Sequence, residues 1–214
     1  MNNEELKQLR EEQDLGVLID EDLKFHKQTA AAVKKANSIL GLIRKSFVAF
    51  DKVSLGLLYK SLVRPHLEYC NVIWGPFYKG DVIKVEKIQR RATKLVPELK
   101  HLPYEDRLQA LDLPSLSYRR RRGDMITTYK LLTNQMKIKH EEFLKMGNAI
   151  TRGHRYKLMK KGATKFVRVN AFSNRIVTDW NSLPEYVVEA PSTDAFKKRL
   201  DDTWKARKFI SPFS

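Results

Sequence analysis

Five cations, Lys84, Lys87, Arg90, Arg91 and Lys94, recur at helical intervals between Gly80 and Val96. On a helix they gather on one arc, opposite an apolar stripe of Val82, Val85, Ile88, Ala92 and Leu95. A row of cations converging on one side is suited to a phosphate backbone, whose condensed counterions it replaces. The competing reading is a solvated helix face. A second run, Arg119-Arg120-Arg121-Arg122, spreads around a helix, so two or three of its members can face one ligand. Arg119, Arg120 and Arg122 are the candidates for phosphate contact there, with ion pairing inside the protein as the alternative. Arg152 and Arg155 are further candidates, within residues 137–168, where ten bases meet only Glu141 and Glu142.

Other chemistries find little support. The single Cys70 excludes an internal disulfide and any cysteine-based zinc site. His26, His66, His101, His140 and His154 lack metal-ligand spacing. No Gly-rich phosphate loop, Ser-His-Asp arrangement or glycosidase-like carboxylate pair is present. The one Asp-Asp pair, Asp201-Asp202, follows Arg199-Leu200 in a helical pattern and reads as a solvated face. The expectation is no catalytic residue, no metal and no cofactor. Trp180, spaced by four from Ile176 and by eight from Phe172, reads as core in preference to a base-stacking ring.

The charge of the whole chain agrees with a polyanionic partner. Across 214 residues, 41 Lys and Arg oppose 25 Asp and Glu, for a formal net charge of +16. Nucleic acid is the first candidate and an anionic membrane surface the second. The excess is uneven: residues 1–25 hold eight acids and three bases, so the remainder carries +21. No apolar run approaches the roughly 20 residues of a membrane span, and the acidic start, MNNEELKQLREE, is unlike a targeting peptide. The expected location is nuclear or cytoplasmic, with no membrane partner.

The elements that must position these residues are mainly helical. Gly (9) and Pro (8) are scarce, and three-four apolar spacings predict helices near 26–47, 52–72, 80–96, 104–111, 115–132, 172–180 and 193–204. Asp51 and Ser192 or Thr193 are candidate N-caps, and Pro65 a candidate kink. Residues 15–25 predict a strand or hairpin, and 166–169 a short strand in an otherwise basic linker. Phe172, Ile176, Trp180, Leu183, Phe196, Leu200 and Trp204 predict one small apolar cluster.

Several segments together resemble a known family. They include Asp14-Leu15-Gly16-Val17-Leu18-Ile19-Asp20, Tyr59-Lys60-Ser61-Leu62-Val63-Arg64-Pro65-His66-Leu67-Glu68-Tyr69 and Trp74-Gly75-Pro76. Glu86-Lys87-Ile88-Gln89-Arg90-Arg91-Ala92-Thr93-Lys94 and Leu111-Asp112-Leu113-Pro114-Ser115-Leu116 follow. Phe172-Ser173-Asn174-Arg175, Trp180-Asn181-Ser182-Leu183-Pro184 and Phe196-Lys197-Lys198-Arg199-Leu200-Asp201 complete the order. The set resembles the thumb and C-terminal part of non-LTR (LINE, jockey- and CR1-like) retrotransposon reverse transcriptases, over about residues 11–204. The family's palm holds two Mg²⁺ on an aromatic-x-Asp-Asp turn and a further Asp, and no such turn occurs in this sequence.

The resemblance therefore implies nucleic-acid binding without polymerase activity, toward RNA, DNA or a hybrid duplex, with a separate palm or another protein chain as a further partner. The expected fold is mainly α: a helical thumb-like bundle over 26–135, after a short β element within the acidic 1–25. A basic linker (136–170) and a small helical C-terminal unit (171–214) follow. The alternative is a helical structural or protein-interaction module without a nucleic-acid role.

Overall fold

The N-terminal β element forms where two residues tolerate left-handed backbone. Strands β1 (Glu11–Asp14) and β2 (Val17–Asp20) pair antiparallel, Glu11 opposite Asp20 and Asp14 opposite Val17. Leu15 and Gly16 close the hairpin with φ of 44° and 79°, the two positive values a tight primed turn requires. In the computed structural model, which describes residues 9–147 and 153–211, this hairpin leans on α1 (His26–Ser46). The Leu18 N–H donates to Gln28 Oε1 at 2.9 Å, and the Tyr69 hydroxyl donates to the Leu15 carbonyl at 2.8 Å.

Asp51 caps α2 (Lys52–Leu58), its carboxylate accepting from the Val53 and Ser54 N–H groups at 2.7 Å. Pro65 does not split the helix that follows. Lacking an N–H, it cannot serve the Ser61 carbonyl, and the chain widens just before it into a π turn over Tyr59–Val63. There the Arg64 N–H reaches back five residues to the Tyr59 carbonyl, and α3 (Arg64–Glu68) continues. The break comes later than Pro65 and earlier than residue 72. Cys70 turns left-handed at φ 53°, and a separate turn, α4 (Asn71–Trp74), ends at Gly75. A Cβ on Gly75 would lie 2.6 Å from the Asn71 carbonyl oxygen, so glycine is required by close approach.

The longer helices α5 (Lys79–Thr93), α6 (Tyr104–Ala110) and α7 (Leu116–Leu132) follow. Next come α8 (His140–Phe143) and a two-residue hairpin, β3 (Lys145–Met146) with β4 (Leu158–Met159). One segment differs in type from expectation: Phe166–Val169 is not a strand but lies in the short helix α9 (Phe166–Asn170). Its β-prone Phe and Val residues pair with no strand among the described residues, and strand propensity is realised only through such pairing and packing. The Asn170 side chain donates to the Phe166 carbonyl at 2.8 Å and stabilises the helical turn. Helices α10 (Phe172–Asn181), α11 (Glu185–Val188) and α12 (Thr193–Thr203) follow, α12 capped by Ser192, and a 3₁₀ turn over Lys205–Arg207 comes after them.

The apolar core divides inside α7. Ala36, Leu40, Tyr59, Ile88, Leu108 and Leu116 belong to one cluster, while Tyr118 and Met125 face a second. That second cluster gathers Ile176, Trp180, Leu183, Phe196, Leu200 and Trp204, with Phe172 packed at its edge, as their spacing predicts. It also recruits Tyr129, whose ring stacks on Phe196 at 4.4 Å, and Leu144 and Leu158 from the expected linker. The fold is mainly helical, with β structure confined to two short hairpins among the described residues. No described helix is long and apolar enough to cross a membrane.

Candidate nucleic-acid interface

Helices α1 and α5 lie side by side and run parallel. Near their starts His26 Nδ1 bonds Asp81 Oδ2; one helix length on, Arg91 Nη1 donates to Asn37 Oδ1 at 2.9 Å. Each helix buries one stripe, Ala36, Leu40 and Ile43 from α1 against Val85, Ile88 and Ala92 from α5. Amphipathic periodicity then forces Lys84, Lys87, Arg91 and Lys94 outward, and all four are exposed. Lys84 Nζ donates to Asp81 at 2.9 Å, while Lys87 and Lys94 have no ion-pair partner among the described residues. Between the C-terminal halves of the two helices lies an open groove of about 760 Å³, and Asn37, Gly41, Arg44, Arg91, Lys94 and Lys100 line it. Every charged side chain in that lining is cationic.

Arg44 and Lys100 were not among the sequence candidates. Arg44 carries a usable signal, since Asn37, Gly41 and Arg44 share one face of α1 at three-four spacing. Nothing in the sequence shows that this face meets α5. Cations in the last turns of α1 and α5 also offset the negative ends of the helix dipoles, which gives Arg44 and Arg91 a structural use as well.

Arg90 leaves the exposed row. It is half-buried, with its guanidinium 4.5 Å from the Tyr104 ring centre and Nη2 donating to Ser211 Oγ at 3.1 Å. One position off the stripe is a rotation of about 100°, enough to turn it into the protein. The inner face of α5 buries Glu86 and Gln89 as well. The Tyr104 hydroxyl donates to Glu86 at 2.6 Å, and burial pushes the Glu86 carboxyl up against the pull of that bond.

Arg119, Arg121 and Arg122 of the second basic run form ion pairs inside the protein, the alternative weighed against phosphate contact for that run. Arg119 grips Glu68 through Nε and Nη2, the latter 2.8 Å from Oε2. Arg121 grips Asp179 through Nε at 2.7 Å and through Nη2. Arg122 grips Asp201 through Nε at 2.5 Å and Nη2 at 2.8 Å, and Tyr118 donates to the same carboxylate at 3.0 Å. One face of α7 after another is thus tied to α3, α10 and α12 by bidentate pairs. Asp201 is accordingly a structural partner. Arg120 bears no such clamp among the described residues: its Nη1 is sealed from solvent without a hydrogen-bond partner among them, and burial lowers its pKa while Glu86 and Asp124 oppose the shift.

Arg119, Arg120 and Arg122 line a separate recess with Glu68 and Asn71, not the α1–α5 groove. Arg155 is exposed but pairs with Glu189 at 3.0 Å. Arg152 lies outside the described residues. Trp180 is fully buried, so it presents no face to a base. Cys70 is half-buried against a small cluster of Val17, Phe25, Ala32 and Trp74. No group of three or more His, Cys, Asp or Glu among the described residues is arranged to hold a metal ion. Comparison with protein-family models, curated proteins and solved structures finds no match. What the geometry presents is an open groove whose charged lining residues are all cationic.

Proposed function

We propose that this chain binds nucleic-acid backbones without reading base sequence, through the groove between α1 and α5. The observation that carries the reading is that Arg44, Arg91, Lys94 and Lys100 line the groove with no acid among them, continuous along α5 with exposed Lys84 and Lys87. A surface of this kind gains affinity from counterion release and fixes no base register. The chain's resemblance to the thumb and C-terminal part of a non-LTR reverse transcriptase supports the same reading. Nucleic-acid binding is what transfers to it; polymerase chemistry does not, because the palm motif has no counterpart in the sequence.

The test is a fluorescence-anisotropy titration of duplex DNA at several salt concentrations, on the wild type and on Lys87→Glu/Arg91→Glu/Lys94→Glu. Each phosphate contact contributes about −0.9 to the slope of log K against log salt. Three lost contacts flatten that slope by roughly 2.7 and weaken unrelated sequences alike. Wild-type binding weaker than roughly 10⁻⁴ M near physiological salt overturns the reading. Equal binding by both proteins removes this groove from it.

One observation favours the second reading, a protein-interaction module. Around the α1–α2 turn, Leu42, Phe47, Val48, Val53 and Leu57 are all strongly exposed, and solvent-facing apolar side chains this numerous mark protein contacts more often than phosphate sites.

A further inference from the structure

Four aromatic rings gather at the head of α5, where the exposed cation row begins. Tyr78 directly precedes α5, and Phe77 lies beside it at 4.6 Å between ring centres. Phe166 of α9 approaches both, 5.7 Å from Phe77 and 5.4 Å from Tyr78. The His26 ring of α1 lies 4.6 Å from that of Tyr78. These rings do not form a closed core. Phe166 is 54% exposed and His26 is exposed, Phe77 and Tyr78 are half-buried, and α9 has no buried residue. An apolar ring left this open contributes little to folding by burial.

The segment that carries Phe166 is nevertheless held in place. The Asn174 side chain donates to the Arg168 carbonyl at 2.9 Å, and its oxygen accepts from the Lys161 N–H at 2.8 Å. The ring is therefore presented from a braced turn. Its neighbours along the chain are basic: Lys165 and Arg168 flank it, and no acid occurs from 160 to 172, while Lys79 follows Tyr78. The cluster also joins the cation row. His26 bonds one oxygen of Asp81, and Lys84 Nζ donates to the other at 2.9 Å. From Tyr78 to Lys94 the helix then runs about 24 Å, with the exposed cations along it.

Open aromatic faces beside a cationic track are the arrangement that holds unpaired bases: rings stack on the bases while the track follows the phosphates. A duplex keeps its bases stacked within itself and offers such rings only a terminal pair. We propose that His26, Phe77, Tyr78 and Phe166 form a stacking platform for unpaired bases, and that the α5 cations take the backbone of the same single strand. This rests on the nucleic-acid reading above and adds the substrate class.

The experiment uses the whole chain and three labelled probes: a 12-nucleotide oligouridine, an abasic 12-mer with the same number of phosphates, and a 12-base-pair duplex. Phe166→Ala is the test variant and Phe166→Trp the rescue; because Phe166 is largely exposed, neither endangers the fold, and circular dichroism verifies this. The wild type is expected to bind oligouridine more tightly than the abasic strand by roughly 5- to 150-fold per stacked base. Phe166→Ala is expected to cut that preference by roughly 5- to 150-fold, the share of one stacked base, while leaving the abasic strand and the duplex unaffected, and Phe166→Trp to retain it. Equal wild-type affinity for oligouridine and the abasic strand overturns the platform and leaves the groove standing. So does a Phe166→Ala loss shared by all three probes. Failure of the wild type to bind any probe overturns the nucleic-acid reading itself, and the platform with it.

Discussion

Replacing Trp180 with alanine tests whether the second core is built as described. The indole is wholly buried on α10, with Phe196 6.0 Å away and the His154 ring edge-on at 6.0 Å. Its Nε1 donates to the Tyr156 carbonyl at 2.8 Å, and the Trp180 carbonyl accepts from His154 Nε2 at 3.1 Å. Removing the ring costs about 3–5 kcal/mol through lost burial and an incompletely closed cavity. The Tyr156 carbonyl, deprived of its donor, adds about 1–3 kcal/mol if it stays dry. Against a total of about 5–15 kcal/mol for a folded domain, this is enough to unfold α10–α12 near body temperature. Trp180→Phe keeps most of the apolar volume and loses the N–H, so it separates packing from the hydrogen bond. Urea unfolding followed by far-UV circular dichroism reads both variants as a shift in midpoint at unchanged slope. A loss under about 1 kcal/mol for Trp180→Ala, far below the usual cost of emptying a buried aromatic site, together with weakened oligonucleotide binding, refutes the core assignment.

Arg175 bridges α10 to Asp124 of α7 at 2.9 and 2.8 Å and to the Asn71 and Val72 carbonyls at 3.2 and 3.0 Å. Arg175→Ala leaves buried Asp124 without its bidentate partner, only the charge of Arg120 remaining near it, and is expected to cost about 3–5 kcal/mol in urea unfolding, with part recovered by adding Asp124→Ala. Burial holds the His154 imidazole below its ordinary value, and its Nδ1 has no hydrogen-bond partner among the described residues. The neutral ring contributes stability that is present above about pH 6.5 and is lost as pH falls through the lower folded-state value. Unfolding curves between pH 5 and 8 are expected to show that loss in the wild type and to lack it in His154→Gln. Gly75→Ala forces a Cβ against the Asn71 carbonyl and is expected to lower stability by about 1–3 kcal/mol, read as a lower thermal midpoint.

What the sequence determined by itself was whatever depends on near neighbours along the chain. The helices over 26–46, 104–110, 116–132, 172–181 and 193–203 lie where three-four apolar spacing puts them. Asp51 and Ser192 cap as their residue types predict. Helical bonds join residues four apart, and caps reach two or three, so both are written locally. The net positive charge was equally plain. Tertiary structure decided where local preference met a missing or distant partner. The Phe166–Val169 run is helical, without a strand partner among the described residues, and the Pro65 helix survived by widening into a π turn. It also decided which cations are free. Arg119, Arg121 and Arg122 find their carboxylates 51, 58 and 79 residues away, whereas Lys87 and Lys94 meet none among the described residues. Arg44 and Lys100 join the groove only because α1 and α5 run parallel. An ion pair depends on distance in space, and the path that brings residue 201 to residue 122 is set by burial of two apolar clusters, with no trace in the spacing of the charges themselves.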